Sequence, residues 1–162
     1  MRSTNASFTM QKLLLIAFLT FIYVETKAQT SPAPMPKLEL RDPWKANQLM
    51  EPAELVAIIQ NPQAKKPLVL NIGAVEDIKG ATHIGPANKP ENLEKLTKTV
   101  KSLPKNTAIV IYCGCCPFGK CPNIRPAFTA LQNAGFSNVK LLDLPVNLNT
   151  NWTSKGYPLA EK

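Results

Sequence analysis

Apolar positions along this chain fall into continuous runs and periodic stripes, and the two kinds alternate. The runs are "PLVLNIG" at 67–73, "NTAIVIY" at 106–112 and "NVKLL" at 138–142. Unbroken apolar stretches of this length, ended by turn residues, predict strands buried on both faces. The stripes follow helical spacing. "MEPAELVAIIQN" carries Leu55, Val56 and Ile59 on one side, with Pro52 where a first helical turn tolerates it. "ENLEKLTKTVKSL" lines up Leu93, Leu96, Val100 and Leu103 before Pro104 ends it. A third helix is expected from Asn123, as its cap, through Ile124, Ala127, Phe128, Leu131 and Ala134 to Gly135. Strands alternating with helices predict an α/β fold: a parallel central sheet with helices on both faces. In such sheets ligand sites form beyond the carboxyl ends of the strands.

Two segments precede this pattern. From Met10 the chain reads Lys12, an apolar run Leu13 to Val24, and Ala28 before Gln29, the order of charge, apolar core and small cleavage residue in a secretory leader. The run falls short of the ~20 apolar residues that cross a bilayer, so no stable membrane anchor is expected. Residues 1–28 are thus read as a signal peptide, 29–48 as a proline-rich linker and 49–162 as one domain, secreted or periplasmic. Cleavage after Ala28 leaves 134 of the 162 residues, enough for one core and too few for two. Of the chain's 19 basic and 11 acidic residues, 16 and 10 then remain. That balance favours anionic small molecules or surfaces in general. Nucleic acid is not expected as a partner, because the lysines are dispersed and no aromatics are interleaved with them. Lys95, Lys98, Lys101 and Lys105 read as one solvated helix face.

The chemistry is concentrated in "IVIYCGCCPFGKCPNIRP", 109–126, which holds all four cysteines within nine positions. Three uses compete for them. A disulfide staple would close only short segments inside one loop and tie no distant elements together, a constraint worth ~2–3 kcal/mol. A metal site built on C-x-C-C-x4-C suits a soft ion such as copper(I), whereas structural zinc more often has two separated knuckles. Sulfur or redox chemistry needs a thiolate of depressed pKa, and a strand–loop–helix connection offers backbone N–H groups and a helix terminus to produce one. Phosphate chemistry from a cysteine would want an arginine six positions on, where this chain has Gly119.

The order "LVLNIG", "GATHIGPA" at 80–87, "IVIYC" at 109–113, "ALQNAGFSNVKLL" at 130–142 and Trp152 with "GYP" at 156–158 resembles the single-domain rhodaneses, a sulfurtransferase family. The resemblance covers about residues 49–160. It implies a rhodanese-like fold, Cys113 as the persulfide-forming nucleophile, and an anion-binding loop of Gly114, Phe118, Gly119, Lys120 and Arg125. Cys115, Cys116 and Cys121 are candidate resolving thiols, and Cys113-x-x-Cys116-Pro117 has a dithiol spacing. The implied partner is a small sulfur-containing anion or an acceptor thiol. A monomer without a cofactor or assigned metal is expected; a thiol–disulfide module or a thiolate copper domain is the alternative. His83 is implied to be structural, near the sheet edge. The chain departs from the family in having Asn71 and Gly73 in place of an Asp–x–Arg pair, a longer loop, and "DLPVN" at 143–147 where a double glycine is usual.

Overall fold

The computed structural model describes residues 44–161. The segment read as a signal peptide, 1–28, and most of that read as a linker, 29–48, therefore lie outside the described residues.

Five strands form one sheet: β1 Leu49–Met50, β2 Leu68–Asn71, β3 Thr82–His83, β4 Ile109–Tyr112 and β5 Val139–Leu142. Their order is β1-β5-β4-β2-β3, and every pairing is parallel. Among the described residues four α-helices accompany it: α1 Pro52–Gln60, α2 Pro90–Val100, α3 Ile124–Asn133 and the single turn α4 Leu148–Asn151.

Alternation along the strands divides the interior into two layers. On one face Leu70, Ile109, Ile111 and Leu141 pack with Leu96 and Val100 of α2 and with Ile124, Ala127, Phe128 and Leu131 of α3. On the other, Val69, Val110, Tyr112 and Leu142 pack with Leu55 and Val56 of α1, Leu148 of α4 and Trp152. Both faces of the sheet are thus covered by helices, as the continuous apolar runs require. β4 sits at the centre, buried along its whole length. Its alternation continues past its end, so Cys113 falls on the same layer as Ile109 and Ile111, facing α3.

The two-residue edge strands β1 and β3 and the short α4 are additions to the expected elements. Two residues carry no measurable period, and β3 is exposed on both positions, so no apolar signal marks it. The fold also begins inside the segment read as a linker. The Trp44 ring meets Phe128 edge-on at 4.9 Å and Phe118 at 6.4 Å, and a 3-10 turn over Ala46–Gln48 leads into β1.

At the other end, Trp152 is fully buried and donates its indole N–H to the Pro158 carbonyl at 3.1 Å. The Lys79 N–H also bonds Pro158, and Ile78 bridges Leu159. The terminal "GYP" segment is thereby tied to the loop after β2.

Candidate functional site: a four-thiol loop at the end of the central strand

Three segments converge where β4 ends. Gly114 turns the chain out of the strand at φ +69, a left-handed conformation that favours glycine, and a side chain there would meet Leu148 Cβ at 2.8 Å. The Leu148 N–H donates to the Gly114 carbonyl at 2.8 Å, fastening the loop to α4. A 3-10 turn over Phe118–Lys120 follows, and Cys121 and Asn123 lead into α3.

Gly73 forms the floor. A Cβ on Gly73 would stand 2.3 Å from the Cys113 carbonyl oxygen, so only glycine lets the chain leaving β2 come this close. Beside it, buried Asn71 accepts from the Gly73 N–H at 3.0 Å. Its amide donates to the Val75 carbonyl and to Asp77 Oδ1, each at 2.8 Å. Asn71 is thus an amide hub that shapes residues 71–77, and the backbone beside Gly73 leaves no room for an arginine at 73. His83, on β3, is half exposed and bonds Asp77 at 3.0 Å, the structural place implied for it.

All four Sγ atoms lie within 4.8 Å of one another. Cys113 and Cys121 are buried, Cys116 is half-buried and Cys115 is exposed, and all four are free thiols. The disulfide staple weighed among the three uses is thus not formed in this structure. Cys113 Sγ stands 3.1 Å from Cys115 Sγ, which stands 3.5 Å from Cys116 Sγ.

Cys113 is the cluster's anion. A hydrogen bond from the Cys121 thiol lowers its pKa most; burial opposes this, and the Asn123 amide with the backbone N–H and thiol of Cys115 add to it, bringing it to about 5. The donors move the other way. Desolvation and the bonds it makes to Cys113 and Cys116 push Cys115 up to about 12, and its bond to Cys113, then burial, raise Cys121 as well. One negative charge is thus held by two neighbouring thiols and an amide.

Asn123 was expected as the cap of α3, yet its backbone is helical and its side chain makes no capping bond. Instead Nδ2 donates to Cys113 Sγ at 3.1 Å, while Oδ1 accepts the Asn88 N–H at 3.0 Å and fixes which way the amide points. This residue carries a role the sequence reading missed; its position two residues after Cys121 is the signal that pointed there. The N–H groups at the start of α3, from Asn123 and Ile124, bond Cys121 rather than Cys113.

The loop residues implied to bind an anion separate into three groups. Gly114 shapes the turn. The Phe118 side chain leaves the site for the core, against Trp44. A Cβ on Gly119 would enter open space, and Lys120 and Arg125 are exposed and bond none of the sulfurs.

No protein-family model matches the chain, and no curated protein matches it. Among solved structures it is similar to the Saccharomyces cerevisiae single domain sulfurtransferase RDL2, at 16% identity over 69% of this chain and 93% of that one, with a TM-score of 0.49.

Proposed function

We propose that this chain is an exported rhodanese-like domain that transfers sulfane sulfur through a persulfide on Cys113. The observation that carries the reading is the Cys113 thiolate at the end of the central strand, held below the usual thiol range by Cys121, Asn123 and Cys115. The order of the sequence motifs supports it from a separate side.

In the loading step the Cys113 thiolate attacks the sulfane sulfur of a donor such as thiosulfate. A Cys113 S–S bond forms, the donor's S–S bond breaks, and sulfite leaves with the bonding electron pair. The groups that stabilise the thiolate also face the persulfide anion that replaces it.

Discharge uses the nearest thiol. Cys115, 3.1 Å away, gives up its proton and attacks Cys113 Sγ; the outer sulfur leaves with that proton as hydrosulfide, and a Cys113–Cys115 disulfide remains. An external dithiol restores the two thiols and is itself oxidised. The redox character considered as a rival to sulfur transfer becomes its second half.

The test is sulfite release from thiosulfate by the reduced full-length chain in the presence of a dithiol. Cys113→Ser is expected to abolish it. Undiminished release by that variant would rule the reading out.

A further inference from the structure

We propose that Cys113, Cys115, Cys116 and Cys121 together bind one Zn²⁺ ion as a tetrathiolate site. The proposal stands on the placement of the four sulfurs and does not depend on the sulfur-transfer reading.

The dimensions fit. A tetrahedral zinc with Zn–S bonds of about 2.3 Å sets its sulfurs roughly 3.8 Å apart. The thiols here already span that value, with neighbours at 3.1 and 3.5 Å and every pair inside 4.8 Å. Shifts of about 1 Å or less bring all four to bonding distance of a common centre. The sequence spacing alone argued against zinc, since the cysteines do not form two separated knuckles. The fold corrects this: the 3-10 turn over Phe118–Lys120 brings Cys121 back beside the three earlier thiols.

The surroundings suit thiolate ligands. N–H groups of Asn123 and Ile124 bond Cys121, and the N–H of Cys115 and the Asn123 amide bond Cys113. Such donors orient metal-bound sulfurs and spread their charge. Charge also selects the ion. Four thiolates around Zn²⁺ leave a net charge of −2, against −3 around Cu⁺, and the groups at hand are two exposed cations in the loop segment, Lys120 and Arg125, with the start of α3.

Binding releases the thiol protons to solvent, so affinity falls as the pH is lowered. It also takes the lone pair of Cys113. Zinc occupancy and persulfide loading are therefore mutually exclusive, and the metal-bound loop is a closed form of the site.

The experiment titrates the reduced, chelator-stripped full-length chain with Zn²⁺ under anaerobic conditions, with Co²⁺ as a spectroscopic probe of geometry. One ion per chain is expected, with four sulfur neighbours at about 2.3 Å by X-ray absorption and tetrahedral thiolate bands for cobalt. Exposed Cys115→Ser tests the ligand set without disturbing the core, and is expected to weaken binding beyond the ~10–100-fold typical of an outer-shell loss. Failure to bind zinc, fewer than four sulfur neighbours, or unchanged affinity in Cys115→Ser would overturn the proposal. Persulfide loading of the metal-free chain, run in parallel, separates the two readings. Loading without zinc binding removes the metal site alone; zinc binding without loading upholds the metal site and removes sulfur transfer alone.

Discussion

The side-chain amide of Asn123 donates to Cys113 Sγ at 3.1 Å, reaching across ten positions of loop to the end of the central strand. The same amide's oxygen is held by the Asn88 N–H, so the donor cannot turn away without leaving a buried group unpaired. Asn123 thus joins the start of α3 to the strand that delivers the sulfur, and acts as a positioning residue for the anion.

Removing it has two expected effects. Asn123→Ala takes a hydrogen bond from the thiolate, which raises the Cys113 pKa, and removes the bond to the Asn88 N–H at a cost of about 1 kcal/mol. The pH dependence of thiolate absorbance, together with urea denaturation, measures both. An unchanged titration midpoint would detach Asn123 from the sulfur.

Gly73→Ala tests the floor of the site. The added methyl would stand 2.3 Å from the Cys113 carbonyl, and the backbone has to give. Overpacking of this kind costs about 1–3 kcal/mol and shifts the thiol relative to Asn123. Denaturation should register the loss, while Gly119→Ala, in open space, should leave stability within about 0.5 kcal/mol of the parent.

The thiol cluster sets a pH profile for the reduced, metal-free chain. Cys113 has its pKa lowered from 9.0 to about 5, so its contribution is fully present above pH 9 and is lost as pH falls through 5. Cys115 and Cys121 have theirs raised, so their contribution is fully present below pH 9 and is lost as pH rises beyond it. Stability should therefore climb from pH 5 toward 9 and decline above. Equilibrium denaturation across that range checks it, with Cys113→Ser expected to flatten the acidic limb.

Much of the fold is legible in the sequence because its signals are long. Four-residue strands flanked by turn residues and helices of nine to eleven residues repeat their pattern often enough to be read. Leu49–Met50 and Thr82–His83 are not legible, since their pairing is decided by the neighbouring strand and not by their own composition. In the site, Cys113 is legible from its place after a buried strand. The role of Asn123 is not, because an asparagine before a helix reads as a cap, and only the third dimension shows a sulfur within reach. Gly73 is similar. In sequence it is a missing arginine; in the fold it is the contact that seats Cys113.

The export reading concerns residues outside those described and has its own check. Amino-terminal sequencing of the protein from its native host should find Gln29, or a residue within a few positions of it, as the first residue. A chain retaining residues 1–28 in the cytosol would contradict the assignment of compartment.

The most direct test of the central claim is the intact mass of the reduced, metal-free chain after brief incubation with thiosulfate and removal of excess donor. The parent should gain the mass of one sulfur atom at the shortest times and then fall to two hydrogens below its starting mass as sulfide is released, and a dithiol should return it to the starting mass. Cys113→Ser should gain nothing, while Cys115→Ser should load but discharge slowly. Equal loading of Cys113→Ser, or no loading of the parent while its Cys113 thiolate titrates near pH 5, would contradict the assignment of this loop to sulfur transfer.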